Sequence, residues 1–232
     1  MTEKTTLGGP FGRRLYFAVG EIDGICLDAL ESVGCLPSTP KAIEIELFVE
    51  KFLGCQIAYE DLKPDVLGLA VFDSGGSVEL VGAARSLFSD GRVGERRVRS
   101  TLAHEAGHGL LHAQLFSEGF GAHPLLDGSF DYKRRMIMCR KEDFANHSRG
   151  YDGKWWEWQA NQAIGGLLLP RGLVEACVEP LMVASGLLGL PRLPDSKRDQ
   201  AARRLVTAFD VNSVVAKIRL KSIFPPGEQR SL

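Results

Sequence analysis

The chain has 232 residues, of which 44% are hydrophobic and 25% charged, and its net charge is −1. This is the composition of an ordinary folded chain, long enough for one well-buried domain and a small appendage. It excludes recruitment of nucleic acid or membrane by bulk charge, and no apolar run reaches the length of a membrane span.

In chain order, residues 1–12 are polar and Gly-rich and are expected to be loosely attached. They lack the basic and apolar regions of a signal peptide, so a cytoplasmic location is expected. From Glu21 to Val33, residues Ile22, Ile25, Ala29, Leu30 and Val33 fall near helical spacing and predict a helix. Pro37-Ser38-Thr39-Pro40 breaks the chain. A second helix is predicted from about Lys41 to Leu53, with Ile43, Leu47, Phe48 and Phe52 inward and Gly54 past its end. Val66–Phe72 reads as a strand, Asp73-Ser74-Gly75-Gly76 as a hairpin turn, and Ser77–Val81 as the returning strand. Those glycines are turn residues rather than a phosphate loop, because no Lys-Ser/Thr pair accompanies them. An edge strand here offers a place for an extended peptide to add. Arg92, Arg96, Arg97 and Arg99 follow; a solvated loop paired with Glu95 and other acids is the simpler reading, and recognition of an acidic substrate the other.

His104-Glu105-Ala106-Gly107-His108 is the most informative stretch. Its flanks read as helical, which puts the two histidines one turn apart on one face. Both imidazoles can then reach one zinc ion, with Glu105 near enough to take a proton from a zinc-bound water. A catalytic zinc needs a third protein ligand. The metzincin continuation would require Gly at 111 and His at 114; Leu111 and Gln114 stand there instead. Glu157 is the better candidate, on a buried helix that starts among Trp155, Trp156 and Trp158 and ends at Pro170. By itself it is as readily a surface glutamate. Asn161, one turn on, is placed to hydrogen-bond a ligand histidine from behind. The tryptophans read as core packing rather than a substrate box. His112 reads as structural, since three histidines on consecutive turns of a straight helix rarely converge on one ion. The stretch from Phe116 to Tyr151 reads as an insertion forming one wall of a cleft. His123, His147 and Tyr151 in it are loop residues or, alternatively, donors to a transition-state oxyanion.

Five cysteines, Cys26, Cys35, Cys55, Cys139 and Cys177, are scattered without C-x-x-C spacing and are expected to be free thiols. Cys139 lies in an expected strand, Met136–Arg140; a thiol that binds zinc in a latent state is the alternative role for it. Pro191 and Pro194 mark a linker. Asp195 or Ser196 caps a helix to about Phe209, and Val211-Asn212-Ser213 starts another to about Leu220. Lys197, Arg198, Arg203, Arg204, Lys217, Arg219 and Lys221 make this pair basic, so DNA binding is one reading; a packing module with a charged outer face is the favoured one.

Two blocks, Thr101–His112 with its H-E-x-G-H core and Glu157–Pro170 with E-x-x-A-N followed by L-L-L-P, resemble the ImmA/IrrE family of metallopeptidases. A weaker likeness lies in Phe209–Ser213 and Ile218–Leu220, and the resemblance spans about Pro40 to Phe224. Ala106 and the stretch Gln162–Gly166 depart from the family's packing residues. The resemblance implies an α+β, zincin-like core, a small antiparallel sheet packed on helices, with a small C-terminal helical module. The expected divisions are 1–37, an N-terminal extension with one helix; 38–175, the peptidase core; and 176–232, the helical module, somewhat like a helix-turn-helix. It makes His104, His108 and Glu157 the ligands of one Zn2+ and Glu105 the general base. It further implies a protein substrate, a helix-turn-helix transcriptional repressor cut at one or few sites to release stress or mobile-element genes. The alternatives are a non-catalytic zinc protein that binds a partner or DNA, its fourth ligand being His112, Cys139 or His147, and a toxin-like member of a two-gene operon.

Overall fold

The computed structural model describes residues 2–5, 13–117, 130–131, 135–141, 153–185 and 190–226. The architecture is α+β, with a small mixed sheet packed against helices. Thr2–Thr5 (β1) pairs antiparallel with Arg13–Tyr16 (β2), so part of the segment expected to be loose is strand. Helix α1, Val19–Ser32, buries Ile22, Cys26, Ala29 and Leu30. Glu21 caps its start by accepting from the Ala18 amide at 2.8 Å.

The expected helix over Lys41–Leu53 is shorter than its pattern. Only Ile45–Phe48 (α2) and one wider turn, Val49–Leu53, are helical, ending at Gly54 with φ +65°. Ile43 and Ile45, two apart, are both about fully buried at 1% exposure, which an extended entry allows and a helix does not. Phe52, expected inward, is exposed and stacks on Phe48.

Five strands make the main sheet: Gln56–Glu60 (β3), Val66–Phe72 (β4), Val78–Ala84 (β5), Phe130–Asp131 (β6) and Met136–Arg140 (β7), in the order β3-β5-β4-β7-β6. The expectation of an antiparallel sheet is corrected at one pair: β3 runs parallel to β5. The chain passes from β3 through the β4–β5 hairpin and lays β5, not β4, beside β3. The hairpin turn is held as its residues require, with Asp73 Oδ1 accepting from the amides of Gly75 and Ser77, each at 2.8 Å. The β7 strand places Met136–Arg140 beside β4, so this part of the expected insertion belongs to the sheet.

A 3-10 stretch, Arg85–Asp90, leads into helix α3, Gly91–His112. The arginines expected in a loop are therefore in its first turns. Arg92 and Arg96 pair with Asp210, Arg97 with Asp90, and Arg99 donates to the Ile43 and Asp210 carbonyls. A short helix, Gln114–Ser117 (α4), follows, and α5 spans Trp155–Leu168. Close contact between α3 and α5 depends on Gly107, where a Cβ would stand 2.8 Å from Ala163 Cβ and 3.1 Å from the Ala160 carbonyl. Beyond Pro170 come α6 (Arg171–Val178), strands Val183–Ser185 (β8) and Leu190–Arg192 (β9), then α7 (Arg198–Phe209) and α8 (Ser213–Ile223). One hydrophobic cluster runs through these layers, from Leu15 to Ile223. No helix among the described residues is long and apolar enough to cross a membrane.

Candidate metal centre

Helix α3 carries His104, Glu105 and His108 on the side that faces the sheet and α5, and all three are 0% exposed. Glu157 enters from the first turn of α5 and is 3% exposed. The four side chains meet because small residues line the approaches. Beneath Glu105 the β4 strand has Gly68, where a Cβ would lie 2.4 Å from Thr101 Cγ2 and 2.6 Å from Glu105 Oε1. Any larger residue at 68 would lift the helix or displace the carboxylate.

His104 Nε2 stands 3.0 Å from Glu157 Oε2 and 3.1 Å from His108 Nε2, and His108 Nε2 is 3.6 Å from the same Glu157 oxygen. Donors bound to one ion at about 2.0–2.1 Å in a tetrahedron stand about 3.3–3.4 Å apart. The observed triangle has that size.

The protons point the same way. Gln159 donates from Nε2 to the Leu15 carbonyl at 2.7 Å, so its Oε1 must face His112 Nε2, 2.9 Å away. A carbonyl oxygen cannot donate, and His112 therefore carries its proton on Nε2. Its bare Nδ1 then accepts from His108 Nδ1–H at 3.0 Å, which leaves a lone pair on His108 Nε2. On the other side His104 Nδ1 donates to Asn161 Oδ1 at 3.0 Å, which turns His104 Nε2 towards Glu157. Two imidazole Nε2 atoms and a carboxylate oxygen thus converge in a buried pocket. The second carboxylate oxygen, Glu157 Oε1, is also buried and has no hydrogen-bond partner among the described residues. Atoms of this kind stay this close only with a proton or a metal ion between them. The donor set and its spacing fit a metal ion, and the three residues are close enough to hold one.

The electrostatics agree. Burial lowers the His108 pKa and the Glu157 carboxylate opposes that shift. Burial, followed by the neighbouring His108, pushes His112 down to about 3, so it stays neutral.

Of the residues singled out in the sequence, His104, His108, Glu157, Glu105 and Asn161 come together here. His112 is close but sits behind His108, with Trp155 edge-on to its ring at 5.6 Å. Trp155 and Trp156 are core residues. Cys139 is 0% exposed, and a donor atom from each of His104, Glu105 and Cys139 lies within 4.8 Å of the others. His123, His147 and Tyr151 lie outside the described residues. Gln159 and Gly68 were not singled out in the sequence. Only the four-residue step from His108 to His112 hinted that a third ring, and hence a partner for it, stood in line with the pair.

A cavity of about 780 Å³ borders the centre. Thr101 and Asn161 are among its lining, with Val93, Ile164, Val214 and Ile218 beside charged residues such as Asp90, Arg97 and Lys141. No protein-family model matches the chain, and no curated protein matches it.

Proposed function

We propose that the chain is a zinc-dependent endopeptidase of the ImmA/IrrE type, acting on a protein substrate. The observation that carries the reading is the convergence of His104, His108 and Glu157 with a second buried carboxyl, Glu105, beside them. Two imidazoles and one carboxylate are the ligand set of catalytic zinc, which leaves a position for water or substrate. Zinc bound there would polarise a scissile carbonyl and acidify a water. Glu105 takes the proton of the attacking water and returns it to the leaving amine. Asn161 and His112 hold the Nδ1 atoms of the two rings, which turns Nε2 of each towards Glu157. The neighbouring cavity, lined by apolar and charged side chains, has room for a polypeptide segment beside Asn161. A helix-turn-helix repressor as that polypeptide rests on the sequence resemblance alone.

The deciding experiment pairs two variants. Wild-type protein purified without added metal should carry one zinc per chain, and Glu157→Ala should lose it. Glu105→Gln should keep zinc and lose cleavage of a co-expressed repressor encoded nearby. A Glu105→Gln variant with full activity would remove Glu105 as the base, and a wild type without zinc after reconstitution would remove the enzyme reading.

One observation favours the rival, a non-catalytic zinc protein that binds a partner or DNA. Cys139 lies within 4.8 Å of His104 and Glu105, outside the group that His104 forms with His108 and Glu157, and a shift of its thiol towards the three ligands would close the site. Zinc-edge X-ray absorption separates the two, because sulfur coordination belongs only to the closed site. Against DNA binding, several basic residues of the C-terminal module are engaged in packing. Arg198 donates to the Phe224 carbonyl, Arg204 to the Cys177 carbonyl, and Arg219 to the Leu169 carbonyl.

A further inference from the structure

We infer that Gln159 and His112 are positioning residues which, anchored on the Leu15 carbonyl, set the metal-binding tautomer of His108 and make the N-terminal strand β2 part of the metal centre. The inference rests on the reading of His104, His108 and Glu157 as a metal site. The geometry is a chain of hydrogen bonds with one possible direction. It begins at a backbone carbonyl, which only accepts, so the end of Gln159 that touches it must be the amide nitrogen. Each later link inherits its direction from that one: Gln159 Oε1 accepts from His112 Nε2–H, and His112 Nδ1 accepts from His108 Nδ1–H. Nowhere in the chain does a free rotor allow the order to reverse. Leu15, Gln159 and His112 are 2%, 1% and 0% exposed, so bulk water has no access to replace a missing partner.

The alternative roles for His112 fit less well. As a metal ligand it would need a bare nitrogen directed at Glu157, yet both of its ring nitrogens are occupied, one by Gln159 and one by the nitrogen of His108 that points away from Glu157. As plain packing it would need neither Gln159 nor the Leu15 carbonyl. A buried glutamine bonded to a strand 144 residues away in sequence is an unusual device for packing alone. Its effect is that β2, near the start of the chain, and β4, under Glu105, both bear on the same centre, one through hydrogen bonds and one through Gly68.

The test uses the full chain, with Zn2+ alone as the probe. In metal-free wild type with 15N-labelled histidine, NMR should show His108 protonated on Nδ1 and His112 on Nε2. Gln159→Met, which keeps the volume and removes both bonds, should mix the His108 tautomers and weaken zinc affinity, read by competition with a chromophoric chelator, by about 10–100-fold. Gln159→Glu should recover most of that affinity, since a buried, protonated carboxyl can accept from His112 and donate to Leu15. A wild-type His108 protonated on Nε2 would overturn the inference, and so would unchanged zinc affinity in Gln159→Met. Because the tautomers are read without metal, a wild type that binds no zinc would refute the metal site separately, leaving the relay to stand or fall on the NMR result.

Discussion

At the scale of single residues, the centre depends on groups that are wrong for a core unless something joins them. His108 and His112 are buried and neutral, with pKa values pushed below the ordinary 6.5 by burial. In the unfolded chain both titrate near 6.5, so below that pH the unfolded state binds protons that the fold refuses. Their contribution to stability is therefore present above pH 6.5 and lost as the pH falls below it. Metal-free protein should show a falling denaturant midpoint from about pH 6.5 downwards, and His112→Phe should flatten that slope. Gly68 is the other exacting position. Gly68→Ala places a methyl 2.4 Å from Thr101 Cγ2 and 2.6 Å from Glu105 Oε1. It should cost about 1–3 kcal/mol in urea unfolding, and under the proposed function cleavage should be lost more steeply than zinc, because the displaced group is the proposed base and not a proposed ligand.

At the scale of elements, one helix pair sets the distance between ligands. His104 and His108 belong to α3 and Glu157 to α5, and the two helices approach through Gly107, Ala160 and Ala163. Gly107→Val would drive branched carbons into Ala163 Cβ, already 2.8 Å from an added Cβ. Overpacking of this kind costs about 1–3 kcal/mol, and it should also separate Glu157 from the histidines. Zinc affinity measured by chelator competition should fall with stability in this variant, whereas in Gly109→Ala, whose contacts are with Val78 and Leu53, stability should fall while affinity holds. The elements themselves were largely legible. The strand over Val66–Phe72 has the predicted bounds, and helices α1 and α5 start and stop near the predicted residues. The segment Lys41–Glu44 was misread because Ile43 and Leu47 have helical spacing, while burial of Ile43 together with Ile45 is a matter of what they face.

At the scale of the whole molecule, charged side chains fasten the C-terminal helices to the rest. Arg219 on α8 is 4% exposed, donates from Nη1 to Asp23 on α1 at 2.8 Å and from Nε to the carbonyl of Leu169 at 2.9 Å. Removing one partner of such a buried pair leaves the other unsatisfied. Arg219→Met should lower stability by about 3 kcal/mol in urea unfolding, and Asp23→Asn should lower it less, because the amide oxygen still accepts. Asp210, between α7 and α8, ties to Arg92 and Arg96 at the start of α3. Arginines that look like a basic surface in the sequence are thus spent on holding α8 against α1, α5 and α3, where it walls the cavity beside Asn161.

The sequence by itself determined which helical side chains stand together: an H-E-x-x-H spacing puts two imidazoles on one helical face because the helix repeats every 3.6 residues, and the buried character of the α5 stretch followed from its apolar run. It also marked Glu157 and Asn161, one turn apart, as candidates. Only the tertiary structure decided that Glu157 meets both histidines, that Gly68 leaves room for Glu105, and that Gln159 reaches Leu15. The physical reason is range. Helical spacing is a local rule written in neighbouring residues, while a hydrogen bond across 144 positions, or a Cβ that must be absent beneath another helix, depends on which surfaces the fold brings together.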